Sequence, residues 1–255
     1  MPEVTSFAPG NFSWVDLSSR DLEASKSFYS KLFGWNADTI PDPEAGGYGM
    51  FTLNGKLVAG FGPTMGPDQP SAWSTYIATD DIEATVKAIS EAGGQIVAGP
   101  MDVFDQGRLA VFIDPTGAFT SLWEAKAMRG AQLVNEPGTV CWNELDTRDV
   151  DTAKQFYTKV FGWGESTSET GGGSYTEWQL DGRSIGGAMP MPAAVPAEVP
   201  SYWLTYFAVD DGDAAVAKAQ ELGANVMMAP MDIDPGRFAV LADPLGAAFA
   251  VIKMA

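Results

Sequence analysis

Apolar positions at Leu22, Phe28, Tyr29 and Leu32, with Ser25 as a weak member, recur at three- and four-residue spacing between Asp21 and Gly34. That pattern predicts an amphipathic helix with an aspartate at its N-cap and a glycine ending it. Val150, Ala153, Phe156, Tyr157 and Val160, between Asp149 and Gly162, repeat the pattern. The two helices close on nearly the same eight residues, FYSKLFGW at 28–35 and FYTKVFGW at 156–163. Their aromatic pair is expected on the buried stripe, with the tryptophan packing just beyond the helix end. A short alternating strand precedes each helix. After it, YGMFTLNGKLVAGF (48–61) and YTEWQLDGRSIGGA (175–188) predict hairpins turning at Asn-Gly and Asp-Gly. RLAVFIDPTGAFTSLW and RFAVLADPLGAAFAVI each predict two strands joined by an Asp-Pro-X-Gly turn.

These matches extend over the whole chain. Trp14 aligns with Trp142, WSTYIATDD (73–81) with WLTYFAVDD (203–211), PMDV (100–103) with PMDI (230–233), and DPTGA (114–118) with DPLGA (243–247). The chain is a tandem duplication whose offset drifts only in Gly/Pro-rich stretches, where loops absorb insertions cheaply. A weaker echo inside each half, DLEAS (21–25) with DIEAT (81–85) and DVDTA (149–153) with DGDAA (211–215), divides it into four modules. Each reads strand, helix, three strands, so the fold class is α+β with four βαβββ modules. The expected domains are 1–128, with modules at about 11–65 and 71–125, and 139–255, with modules at about 139–190 and 200–254. Residues 129–138 are the linker.

The 255 residues carry 15 basic and 33 acidic side chains and no histidine, for a net charge of −18. That balance repels phosphate backbones and anionic lipid, so neither nucleic acid nor a membrane is an expected partner. The opening MPEVTSFAPGNF has neither a basic nor an apolar leader region, and no apolar run is long enough to span a bilayer. A cytoplasmic protein, monomeric or homodimeric, is expected. The one cysteine, Cys141, allows no intramolecular disulfide and is expected as a small buried filler on the strand face opposite Trp142.

Paired βαβββ modules, with an Asp-capped helix ending FY…LFGW and a late DPxGA hairpin, resemble the vicinal oxygen chelate superfamily. That superfamily holds glyoxalase I, extradiol dioxygenases, fosfomycin-modifying enzymes and bleomycin-resistance proteins. The W-x-T-Y-x-A-x-D-D and PMD…GR-x-A-V motifs resemble, more narrowly, a tandem two-domain actinobacterial group. It includes a mycobacterial culture-filtrate antigen, and its members carry glyoxalase or hydroxylase labels. The resemblance implies two glyoxalase-like domains whose curved mixed sheets form cups. It also implies a divalent ion held seven residues before each helix-starting Asp and seven after the Asp of the DPxG turn. Those positions are Trp14, Ser74 and Ser121 in the first half, and Trp142, Leu204 and Ala250 in the second. None is a usual ligand, and without histidine the family's imidazole sites cannot be assembled. Neither a metal nor another cofactor is expected.

Strand alternation shows what else shares the cup faces. Trp14, Asp16 and Ser18 match Trp142, Glu144 and Asp146; Ser74 and Tyr76 match Leu204 and Tyr206; Phe119, Ser121 and Trp123 match Ala248, Ala250 and Ile252. Indole, phenol and carboxylate together suit a flat, apolar or cationic guest. Asp16 and Glu144 need partners if they face inward, and Arg108 and Arg237 at the matching GR positions are the expected ones. Asp80, Asp81, Asp210, Asp211, Asp114 and Asp243 read as caps and turn acids. The expected function is metal-independent binding of a small organic molecule, weighted toward the first-half cup. A metal-free lyase, isomerase or hydroxylase is the alternative, with Asp16 or Glu144 as base and Tyr76 or Tyr206 assisting. An interaction protein with plugged cups is the third reading.

Overall fold

A computed structural model describes residues 3–66, 68–170, 173–193 and 195–255. The first half forms β1 (Phe12–Ser19), α1 (Leu22–Phe33), β2 (Asn36–Thr39), β3 (Gly49–Leu53), β4 (Lys56–Pro63), β5 (Ala72–Ala78), α2 (Ile82–Glu91), β6 (Gln95–Val103), β7 (Gly107–Ile113) and β8 (Phe119–Ala125). The second half repeats it as β9 (Val140–Thr147), α3 (Val150–Phe161), β10 (Gly164–Thr170), β11 (Gly173–Leu180), β12 (Arg183–Pro190), β13 (Tyr202–Ala208), α4 (Gly212–Glu221), β14 (Asn225–Ile233), β15 (Gly236–Ala242) and β16 (Ala248–Met254). The local signals act as their chemistry requires. Asp21, Asp81, Asp149 and Asp211 each accept a backbone N–H of the first helical turn. Asn54 and Asp181 take positive φ, 53° and 50°, at the two tight hairpins.

Each half builds one open, mixed, eight-stranded sheet, in the orders β2-β3-β4-β1-β5-β8-β7-β6 and β10-β11-β12-β9-β13-β16-β15-β14. The first strands of adjacent modules pair antiparallel at the centre, β1 with β5 and β9 with β13. Module one therefore shares its sheet with module two, and module three with module four.

The hydrophobic core is partnered differently. Phe28, Tyr29, Leu32 and Trp35 of the first helix and its exit pack with Phe207, Val216, Leu241, Phe249 and Val251 of module four. Phe156, Tyr157 and Trp163 pack with Ile77, Ile82, Ile89, Phe112 and Leu122 of module two. The repeated FY…FGW segment is thus the contact between halves. Within it, Tyr29 donates its hydroxyl to Asp243 Oδ2 at 3.0 Å and accepts from Trp73 Nε1 at 2.9 Å. Tyr157 does the same with Asp114 Oδ2 at 2.8 Å and Trp203 Nε1 at 3.1 Å. The other oxygen of each aspartate holds its own turn, Asp243 Oδ1 accepting the N–H groups of Leu245 and Ala247. One carboxylate thus closes a DPxG hairpin and binds the opposite half. Burial raises the pKa of both tyrosines well above the ordinary phenol value, so they stay donors.

Tyr29→Phe leaves Asp243 Oδ2 and Trp73 Nε1 without their partner in a dry site. The expected loss is roughly 1.5–3 kcal/mol, as for a buried hydrogen bond to a charged group. It is read as a lowered urea midpoint with an unchanged slope, and Tyr157→Phe is expected to behave alike.

Candidate functional site

On the sheet faces away from the shared core lie two cups. In the first, Trp14 stands opposite Tyr76, and Asp16 opposite Ser74 and beside Gly60. Asp16 Oδ1 accepts from Trp14 Nε1 at 2.7 Å and from the Tyr48 hydroxyl at 2.8 Å, and Oδ2 accepts from Tyr76 at 2.6 Å. Burial raises the Asp16 pKa, against the pull of those three donors. Gly60 makes the arrangement possible, since a Cβ there would stand 2.0 Å from Asp16 Oδ1 and 2.2 Å from the Tyr48 hydroxyl. Ser121 lies beside Tyr76 in register and hydrogen-bonds it.

The second cup repeats this cluster. Tyr206 donates to Glu144 Oε1 at 2.6 Å, Tyr175 also bonds Glu144, and Trp142 Nε1 donates to the Tyr175 hydroxyl at 2.9 Å. Gly187 leaves the room, a Cβ there falling 2.0 Å from that hydroxyl. Burial raises the Glu144 pKa against its phenol donors. Asp146, on the same face two residues on and hydrogen-bonded to Tyr202, is pushed up to about 7 by burial and then by the charge of Glu144. Both carboxylates are buried.

The cups differ in what covers them. Met128, the last residue of the first domain, and Ala131 of the linker are buried against Trp14, Tyr76 and Trp123, with Phe7 packed alongside. Trp123 Nε1 donates to the Met128 carbonyl at 2.8 Å, and Ala131 N–H to the Ser13 carbonyl at 2.8 Å. The linker thus closes the Trp14 end of cup one, leaving Trp14 only 3% exposed while Asp16 and Ser74 are half-buried. Among the described residues no segment covers cup two in this way. Trp142 is half-buried, and Met228, Met231, Ile233 and Met254 form an exposed apolar row along its far wall. Register places them where cup one has Ala98, Met101, Val103 and Ala125. Two cavities of ≈ 190 and ≈ 240 Å³ flank the linker, one reaching Trp123 and Arg129, the other Leu57 and Met128. Neither is lined by Trp14 or Trp142. The expected weighting toward cup one is therefore corrected: its indole end is already filled.

Three other expectations are corrected. Arg108 bonds Glu83 at 2.6 Å, and Arg237 bonds Asp213 and Asp232, so neither reaches Asp16 or Glu144. The reason is parity: Arg108 lies across from Asp102 and Glu124, while Leu109, across from Trp123, faces the cup. Phe119, the first residue of β8, is 54% exposed at the rim and forms no part of the floor. Cys141 sits at a bulge between the Trp142–Tyr206 and Val140–Phe207 pairs, which brings it into the Trp142 cluster and not onto the opposite face. Burial pushes its thiol up to about 12, so it is inert. The cluster residues missed in sequence were Tyr48, Tyr175 and Tyr202. The signal for the first two is a glycine in parallel register with an inward carboxylate, Gly60 with Asp16 and Gly187 with Glu144.

The model of the Glyoxalase/Bleomycin resistance protein/Dioxygenase superfamily matches residues 11–122 and 144–251. The chain belongs to this superfamily. A Mycobacterium tuberculosis protein named "Putative glyoxylase CFP32" is 45% identical over 264 residues, covering 100% of this chain and 99% of that one. The "Anthracycline biosynthesis protein DnrV" of Streptomyces peucetius is 40% identical over 267 residues, covering 98% and 96%. Among solved structures, the Mn(II)-bound glyoxalase of Novosphingobium aromaticivorans superposes with a TM-score of 0.69 at 16% identity, covering 96% of this chain and 82% of that one. The 2,2',3-trihydroxybiphenyl 1,2-dioxygenase of Sphingomonas wittichii gives 0.68 at 16%, covering 96% and 91%. Those two likenesses establish the fold alone.

The residues present do not fit a metal of the glyoxalase superfamily. The implied ligand positions carry Trp14, Ser74, Ser121, Trp142, Leu204 and Ala250, and the Trp14 N–H is spent on Asp16. Among the described residues no three His, Cys, Asp or Glu side chains converge as a metal site would need. No helix among them is long and apolar enough to cross a membrane.

An acid whose folded pKa is raised binds its proton more tightly when folded, so Asp146 lowers stability as pH climbs from about 4 to about 7. Asp146→Asn removes that penalty. It should be more stable than wild type at pH 8 by on the order of 4 kcal/mol, seen as a higher thermal midpoint, and converge with it near pH 4.

Proposed function

We propose that the protein binds a small, flat organic molecule in cup two without a metal ion. The observation that carries this reading is the contrast between the cups. The same floor that cup one covers with its own Met128 stands uncovered in cup two, bordered by Trp142 and the row Met228, Met231, Ile233 and Met254. An indole face and unbranched, polarizable thioethers adapt to fused rings of varied outline. The name of the Streptomyces relative ties that protein to anthracycline biosynthesis, and a fused-ring compound of that shape suits such a face. The superfamily's sequestering members, to which bleomycin-resistance proteins belong, supply the mode: capture in a cup with no bond made or broken.

The raised pKa of Asp146, about 7, favours a second reading, a metal-free lyase, isomerase or hydroxylase with its acid–base chemistry at the carboxylates of cup two. For cup one, the buried Met128 supports a plugged, non-binding role.

The test is tryptophan-fluorescence titration with a panel of flat aromatic compounds, an anthracycline included, in buffer containing EDTA. Saturable quenching that survives EDTA and weakens at least about tenfold in Trp142→Leu, but not in Met128→Ala, is the expected result. Quenching abolished by EDTA, or unchanged in Trp142→Leu, would overturn the reading.

A further inference from the structure

The polar floors of the two cups share one cluster and differ around it. Asp16 with Trp14, Tyr48 and Tyr76 is matched by Glu144 with Trp142, Tyr175 and Tyr206. Asp146 and Tyr202, opposite each other across β9 and β13, have no such match; the equivalent pair across β1 and β5 is Ser18 and Ala72. The open cup alone therefore carries a second carboxylate–phenol pair. A shared scaffold explains the duplicated cluster. It does not explain a second acid buried beside the first, which costs stability.

No lysine or arginine among the described residues forms an ion pair with Glu144 or Asp146. Arg148, two residues on from Asp146, donates instead to the carbonyls of Val195 and Pro196. Tyr202 and Tyr175 are half-buried and stand over the acids. Each phenol donates a hydrogen bond to a carboxylate; the Tyr202 oxygen keeps its lone pairs as acceptors, and the Tyr175 oxygen, which already accepts from Trp142 Nε1, keeps one. The polar end of the cup is thus built to receive donors, a positive one above all, while Trp142 beside it receives an apolar plane.

We propose that the ligand of cup two is a flat aromatic compound bearing a protonated amine, its rings on Trp142 and its ammonium on the phenol oxygens backed by Glu144 and Asp146. This rests on the cup-two reading above and names the class of compound that fits it. The ionisable groups around the ammonium seat are Glu144, Asp146 and Cys141 of β9, Tyr175 and Glu177 of β11, with Glu177 level with Glu144 and accepting from Ser184, and Tyr202 and Tyr206 of β13. β12 meets them with Gly187 and Met189, and β16 with Ala250 and Ile252. The phenols and the thiol keep their protons through the neutral range, which leaves Asp146, pushed up to about 7 by burial and by the charge of Glu144, as the group that titrates there.

Two dyes separate charge from shape: 9-aminoacridine, a tricyclic cation at neutral pH, and acridine, its uncharged relative above about pH 6.5. Against the intact protein, 9-aminoacridine is expected to bind about tenfold tighter at pH 8 than at pH 6, as the pair loses its proton, and at least about tenfold tighter than acridine at pH 8. Between pH 6.5 and 8.5 acridine should bind with no pH dependence. The double variant Asp146→Ser, Tyr202→Ala gives cup two the first-half residues at those positions. It should bind acridine as the wild type does and lose the preference for the cation, and Asp146→Asn should flatten the pH profile. A single unfolding transition verifies that each variant is folded. If both dyes bind equally, or if the cation preference persists in the double variant, the general acidity of the surface is responsible and the proposal falls while cup-two binding stands. If neither dye binds, both readings fall.

Discussion

The hydrogen bond from Tyr29 to Asp243, with its twin from Tyr157 to Asp114, is the constraint on which the arrangement of this molecule depends. Each aspartate uses one oxygen to close its own hairpin and the other to accept a phenol from the opposite half. The bond is made inside an aromatic cluster with rings from both halves, so neither half can present its helix face to water without stranding a buried carboxylate and exposing several rings. With the helix faces turned inward, the opposite sheet faces are turned out. Both cups are consequently built within a half and borne on a rigid, outward-facing sheet, and no site depends on a hinge between halves.

The architecture could be read from the sequence because its determinants are local or repeated. Helix caps, Asn-Gly and Asp-Gly turns and DPxG hairpins carry their own geometry, and duplication supplied each reading twice. The partner of the FY…FGW stripe was not legible in that way. Period alone says that Phe28 and Tyr29 are buried but not against what, and the answer, module four, lies more than two hundred residues along the chain. The same limit applies at the site. The inward set on the first strand followed from alternation, and Asp16 and Glu144 stand there with Tyr76 and Tyr206 as their donors. The arginines failed because opposite charge was given more weight than parity, which places Arg108 with the helix-side acids. Tyr48 and Tyr175 escaped because they come from an edge region whose register only the neighbouring glycines betray.

Without histidine, the cups solve a problem that a metal would otherwise solve, namely how to keep a carboxylate in a poorly hydrated floor. Here phenols and an indole do it. Asp16 is saturated by three neutral donors, and Glu144 draws on two phenols with Trp142 behind one of them. Neutral donors stabilise a buried anion less than a cation does, which is why burial remains the dominant influence on each pKa.

In cup one that compromise is complete: one acid, three donors, and the linker over the indoles. In cup two it is not, because Asp146 adds charge that the surrounding phenols only partly offset, beside an apolar wall left in water. Two unfavourable features, unneutralised carboxyl groups and exposed methionines, lie within one concave face. Either alone would be an ordinary imperfection of a marginally stable fold. In the one cup that the linker does not cover they have separate remedies, an apolar surface for the methionines and positive charge for the acids beside Trp142.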